Sequence, residues 1–319
     1  MYRVLIVDFS IYKDSISKFF EDIGYGVDIC DSAFEAMSKL KSYDYDLVIS
    51  EVDLPGDNSF DLYNYITGNY PHLPLIMTTE KNIDSFFDKI FAEGIGNLLF
   101  KPIVRNELIN LSEKLITKKN IFGLHNYIED FRETKKIRIT SSRQIQRAIA
   151  ASFQEIENWG FRIEKKMHLN LVLNEMLINA VYHSHGLTKE KEKRIPVTLA
   201  EGKFVDLFFG HSARKYGFAI DDYNGILTKM RILQSINRVI EESELLKKAY
   251  EEGSDISPII SETGRGIDLV RKLSGEYYFI IKKNVRTEIM LILDPAVQNL
   301  TEDEIYTSLK IIEDNSTDD

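Results

Sequence analysis

The chain has 319 residues, 44% of them hydrophobic and 28% charged, with a formal net charge of −10 at pH 7. That length suits two ordinary domains, and the acidic balance excludes a chain whose main work is holding nucleic-acid phosphates, which needs clustered Lys and Arg. A single cysteine, Cys30, excludes an intrachain disulfide and a multi-cysteine zinc site and fits a reducing compartment, so the cytoplasm is the expected location.

The first segment, MYRVLIVD, runs straight into a strand pattern without a charged-then-apolar leader. No stretch approaches the roughly 18 to 20 apolar residues of a membrane span, so neither export nor membrane insertion is expected. Short apolar runs at 3–7, 26–30, 46–50, 73–77 and 97–100 alternate with segments of helical period. Runs this apolar suit strands buried on both faces, which predicts an open, doubly wound parallel sheet with helices on either side. Sites in such sheets form at the carboxyl ends of the strands. The polar residues there are Asp8, Glu51, Thr78 or Thr79, and Lys101.

The VDFS, EVDLPG, IMTT and KP segments, in this order and spacing, resemble a response-regulator receiver domain over residues 1–120. The resemblance implies two adjacent acids after the first strand to hold Mg²⁺, an aspartate after the third to accept phosphate, a Thr or Ser, and a Lys. Here Asp8, Thr79 and Lys101 match, while Phe9 replaces the second acid and Glu51, four residues before Pro55, replaces the acceptor. A phenyl ring removes an oxygen ligand from a metal that wants several. The extra methylene of glutamate displaces its carboxylate from the in-line geometry of phosphoryl transfer. The expectation is a degenerate pseudo-receiver that does not take phosphate. A longer carboxylate can reach Lys101 permanently and imitate the charge of a phosphoryl group. The other reading is a leftover ion pair in a domain kept for dimerisation or docking.

Residues 121–134 mix charge with Ile121, Phe122, Leu124 and Tyr127 and predict a packed, helical connector rather than a flexible tether. Beyond it, KIRITSS reads as a strand ending in an N-cap, and residues 143–160 as an amphipathic helix stopped by Gly160. In the helical stretch 168–186, Glu175, Asn179 and His183 recur every four residues and share a face, with Leu171, Leu177, Ile178 and Val181 as apolar packing. FAIDDYNG then delivers Asp222 into a turn containing Gly225. ETGRGIDLV places Gly264 and Gly266 directly before a helix, where backbone N–H groups approach phosphate.

Taken together these segments resemble the nucleotide-binding boxes of the GHKL (Bergerat) ATPase superfamily over 135–295, nearest the anti-sigma-factor serine/threonine kinase branch. The resemblance implies an α/β sandwich, helices on one face of a mixed sheet, binding ATP with Mg²⁺. Asn179 would ligate Mg²⁺, Glu175 would be the general base, and His183 would belong to the nucleotide site. Asp222 would accept the adenine amino proton, with Gly225 in its turn. Gly264, Arg265 and Gly266 would cradle phosphates, and Thr287 would line the adenine floor. Asn224 and Ile226 stand where glycines are usual. Residues 226–262, long and charged, occupy the place of the family's ATP lid and read as a lid, a docking surface or a solvated helix.

Three functions compete. The domain phosphorylates a Ser or Thr of a partner protein, an anti-anti-sigma-like or sigma-factor-like one. Alternatively, it binds ATP and switches partners without transfer. A histidine kinase is disfavoured, because His125 in FGLHNYIED lacks suitable surroundings. A homodimer is expected as one use of the receiver. Neither a membrane nor nucleic acid is an expected partner. Residues 296–319 read as a polar tail, with EDNSTDD disordered.

Overall fold

A computed structural model describes residues 1–54, 56, 59–252, 265–273, 276–296 and 308–314. The chain divides into two compact units, with the cut between Lys119 and Asn120 and with residues 309–312 belonging to the first unit.

The first unit holds β1 (Arg3–Val7), α1 (Lys13–Glu21), β2 (Gly26–Cys30), α2 (Ala33–Ser42), β3 (Leu47–Glu51), α3 (Ser59–Asn69), β4 (Leu75–Thr79), α4 (Phe87–Glu93), β5 (Asn97–Phe100) and α5 (Arg105–Thr117). The strands lie in the order β2-β1-β3-β4-β5, all parallel. Leu5 and Val7 face a core shared with Ala36 and Leu40 of α2 and Leu62 and Ile66 of α3. Val4 and Ile6, the alternate residues, are equally buried, and α1 and α5 pack together on the unit. Both faces of the sheet are therefore covered, which is why the strand sequences lack a polar alternation. Each such side chain contributes about 1.5–3 kcal/mol of burial.

From sequence, residues 296–319 read as a polar tail. Residues Leu309–Asp314 instead form a strand, β11, whose Leu309 and Lys310 pair antiparallel with Leu98 and Asn97 of β5. Ile311 N–H donates to the Gly96 carbonyl, and the Ser308 hydroxyl accepts from Phe100 N–H at 3.1 Å. Three apolar residues in four, Leu309, Ile311 and Ile312, drive this. Residues 315–319 lie outside the described residues.

In the second unit come β6 (Glu133–Ile139), α6 (Ile145–Asn158), α7 (Lys166–Tyr182), α8 (Thr188–Glu192), β7 (Val205–His211), β8 (Tyr216–Asp222), α9 (Lys229–Glu252), α10 (Arg265–Leu273), β9 (Glu276–Lys282) and β10 (Arg286–Leu293). A capping box between Ser141 and Gln144 starts the turn leading into α6. The strands order as β6-β7-β8-β10-β9. Every pairing among these described strands is antiparallel, where the sequence reading expects a mixed sheet, because β7–β8 and β9–β10 are joined by short hairpin turns.

Helices α6 and α7 cover one face, Phe153 of α6 meeting Phe218 edge-on. Residues 121–131 cover the other: Leu124 and Ile128 lie against Gly217, and Phe131 against Gly210, neighbours paired in adjacent strands. Side chains at those two positions would collide with them. The expected helical connector is instead one 3₁₀ turn, Leu124–Asn126, inside this packed cover, and β6 begins at Glu133. On the same face a row of charges crosses the strands. Arg138 grips Asp206 in a bidentate pair, and Arg286 bonds both Asp221 and Glu288, whose Cα positions are directly opposed. Glu288 in turn accepts the Gly123 backbone N–H at 2.8 Å.

Candidate functional sites

At the carboxyl ends of the parallel strands, Lys101 follows β5 and its ammonium reaches Asp8 Oδ2 at 2.7 Å and Ser10 Oγ at 2.9 Å, and also contacts Glu51 Oε2. Asp8, Glu51 and Lys101 are all buried. Desolvation pushes the Glu51 carboxyl up, and the Lys101 ammonium pulls it back down. Two carboxylates and a hydroxyl thus share one cation. Thr79, equally buried, is turned to the loop, its Oγ1 accepting from Lys81 N–H at 3.0 Å. Phe9 is 60% exposed and contributes no oxygen. Asp53, an acid of the β3 loop, pairs with Lys81 at 2.6 Å at the surface. Asp53 and Lys81 line a groove of about 700 Å³ with Ser59, Phe60 and Lys89. Ser10 lies in the VDFS segment, but the receiver pattern assigns it no role, so its bond to Lys101 comes from the fold alone.

In the second unit, Glu175 and Asn179 lie on α7 and His183 caps its C-terminus. The shared face is real, and a residue outside the motif joins it: Lys191 of α8 donates to Asn179 Oδ1 at 2.7 Å and Glu175 Oε1 at 3.2 Å, and lies 3.3 Å from His183 Nε2. Burial and then the Lys191 ammonium hold the His183 imidazole below its usual value. Lys191 is hidden in TKEKEKR, a run that reads as a solvated helix face. The apolar packing of α7 also differs from the sequence reading. Leu177 and Val181 are buried, but Leu171 is 52% exposed, and Val172, Leu173 and Met176 take the core. Apolar residues run nearly all round this helix, so period alone could not choose its inner face.

Asp222 ends β8, its Oδ1 accepting from the Asn224 and Gly225 N–H groups at 3.0 and 3.1 Å. Burial raises its carboxyl, and those two donors oppose the rise. Thr287 of β10 stands directly across the ladder, close enough to favour the charged carboxylate, yet its buried hydroxyl has no close hydrogen-bond partner among the described residues. Gly225 has φ +58°, and a Cβ there would meet Lys282 O and Val285 N at 2.5 Å. Asn224, one of the two departures, donates to Ser184 O at 2.9 Å and so ties this turn to the end of α7.

Arg265 and Gly266 lie in the first turn of α10, not before it as the sequence reading has them, and Gly264 falls outside the described residues. A Cβ at Gly266 would lie 2.2 Å from Glu175 Cγ. Its glycine therefore serves the contact of α10 with α7. Of the expected lid, residues 229–252 form α9, which buries Ile232, Leu233 and Ile236 and packs on α10; 253–262 lie outside the described residues. Arg231 of α9 adds positive charge near His183.

Residues 4–113 match the response regulator receiver domain. The N-terminal unit is a receiver domain. The chemotaxis protein CheY-3 of Vibrio cholerae is 25% identical over 120 residues, 36% of this chain and 92% of that protein. A probable transcriptional regulator, ycf29, of Pyropia yezoensis is 28% identical over 120 residues, 37% of this chain and 54% of that one. The response regulator-like PRR1 of Oryza sativa subsp. japonica is 33% identical over 89 residues, 27% and 17% respectively. The chain thus spans about half, or less, of the length of the latter two relatives. Among solved structures, a CheY-like receiver domain protein from Methanospirillum hungatei JF-1 is 26% identical, covers 36% of this chain and 94% of that one, and has a TM-score of 0.34. The likeness to response regulators therefore covers the N-terminal unit, residues 4–113. No helix among the described residues is long and apolar enough to cross a membrane.

Proposed function

We propose that the receiver domain is a pseudo-receiver, held in one charge state by Glu51 and Lys101. We further propose that it serves an ATP-binding, GHKL-type domain resembling the anti-sigma-factor serine/threonine kinases, which acts on a partner protein. The observation that carries the second half is the alignment of Glu175, Asn179 and His183 on one face of α7, packed on β8, whose end presents Asp222 opposite Thr287. Asp222 spends one oxygen on its own turn and has the other for an exocyclic amine, and the Thr287 hydroxyl lacks a close partner beside it. The Asn179 amide oxygen and the Glu175 carboxylate are hard donors of the kind Mg²⁺ takes alongside phosphate oxygens. Mg²⁺, when bound, would neutralise phosphate charge there. Glu175 would take the proton of an attacking hydroxyl, which requires it within hydrogen-bond reach. The partner is an anti-anti-sigma-like or sigma-factor-like protein, and the receiver positions or dimerises the unit.

A second reading, nucleotide-dependent partner binding without transfer, is favoured by the Lys191 ammonium against Glu175, since it occupies the carboxylate oxygen that an attacking hydroxyl would need. Calorimetric titration of the whole chain with ATP, with Asp222→Asn as control, tests the nucleotide site; no heat from the wild type would sink it. Single-turnover hydrolysis with and without Glu175→Ala then separates the two readings. Turnover lost in the variant supports a kinase-type base, and tight binding with no Glu175-dependent turnover supports the switch.

A further inference from the structure

Lys191 is the residue at the α7 face that the resemblance does not supply. It sits on α8, a five-residue helix reached through Gly186, whose φ of +73° turns the chain back onto α7. An ammonium has three N–H donors and no acceptor. Here it meets three groups at once, Asn179 Oδ1, Glu175 Oε1 and His183 Nε2, at 2.7, 3.2 and 3.3 Å. Its ammonium is thus engaged within the protein and must leave these groups before it can serve an incoming phosphate. A divalent cation on Asn179 Oδ1 would share one oxygen with this ammonium, two positive centres within a few ångströms at a part-buried position, where their repulsion is weakly screened. The two cannot hold that oxygen together. The Glu175 side chain also packs on Gly266 of α10, where only a glycine leaves it space.

We propose that Lys191 is a built-in plug: its ammonium closes the Asn179–Glu175 position and swings out with α8 before a divalent cation and its nucleotide phosphates engage Asn179. This rests on the reading of α7 as a nucleotide-site helix. The site is then shut by default, and Thr188–Glu192, an exposed and charged helix, is the element that signals entry.

The test is titration of the whole chain with a fluorescent ATP analogue and Mg²⁺, comparing the wild type with Lys191→Met, which keeps the side chain's length without its charge. Removing a competing like charge should tighten binding about tenfold or more. In the wild type, hydrogen exchange over 188–192 should rise when Mg²⁺ and ATP are added together. Lys191→Gln is the second variant, for use if thermal melting shows Lys191→Met to be unfolded. Equal or weaker binding by the variant would make Lys191 a phosphate ligand or a plain structural pair and overturn the plug. If neither protein binds the analogue, the nucleotide reading fails and Mn²⁺ alone decides the plug. The variant should then retain Mn²⁺, followed by electron paramagnetic resonance, more tightly than the wild type, and no gain overturns the proposal.

Discussion

Glu51 and Lys101 form an ion pair inside the receiver domain, with Asp8 on the same ammonium at 2.7 Å and all three side chains buried. Removing the one cation leaves two uncompensated buried carboxylates. Lys101→Met is therefore expected to destabilise the receiver unit by about 3–5 kcal/mol, read as a lowered urea midpoint. Glu51→Gln, which keeps Asp8 on the lysine, should cost far less. A larger loss for Glu51→Gln than for Lys101→Met would contradict this ordering.

The same cluster sets the response to a phosphodonor. With acetyl phosphate and Mg²⁺, the wild type should acquire no label at Glu51 or Asp53, because Phe9 supplies no metal oxygen and Lys101 already holds the carboxylates. Phe9→Asp combined with Glu51→Asp restores both the second acid and the shorter acceptor, and should be labelled. Mass spectrometry of the intact chain distinguishes the outcomes, and labelling of the wild type would end the pseudo-receiver reading.

Glu288 and Asp221 face each other across the β10–β8 ladder with one guanidinium between them. Burial holds the Glu288 carboxyl well above its ordinary value of 4.5, and Asp221 pushes it in the same direction. The folded state therefore keeps a proton that the unfolded chain releases. That contribution to stability is fully present below pH 4.5 and is lost as pH rises through the folded pKa. Glu288→Gln still accepts the Gly123 N–H and cannot ionise, so its stability relative to wild type should improve as pH rises from about 4.5 to 8. A difference that is flat across this range, measured by denaturant unfolding, would refute the assignment.

Gly225 has no room for a side chain. Gly225→Ala puts a methyl 2.5 Å from two backbone atoms at positive φ and should cost more than about 2 kcal/mol, weakening the Asp222 turn. Asp222→Asn, in contrast, keeps an oxygen for the Asn224 and Gly225 N–H groups and should melt within about 1 kcal/mol of wild type, while losing ATP binding.

The receiver was legible because each of its strands is buried on both faces and so spells an unbroken apolar run. Glu51 and Lys101 could be brought together from strand ends alone. The second unit was less open to reading. Its motif residues were found where every fourth position falls on one helix face, but Lys191 reaches them from a helix whose composition advertises only solvent. Period could not place Leu171, because α7 is apolar on most sides. The antiparallel pairing follows from hairpins, and the Asp221–Glu288 opposition follows from register, neither of which a linear pattern states. β11 was missed because four apolar-rich positions amid acidic neighbours look like tail.

The strand that finishes the receiver sheet lies about two hundred residues after the strand it joins, Ile311 bonding Asn97 across a separation of 214 positions. Synthesis proceeds from the N-terminus, so the receiver leaves the ribosome with β5 as a bare edge and stays that way while the whole second unit is made. Residues translated after β6 to β10 thus cover the open edge of the first domain built. A nascent chain stalled before Leu309 should therefore carry a receiver whose open edge remains available to other strands, a hazard that ends once Leu309–Asp314 emerge and pair.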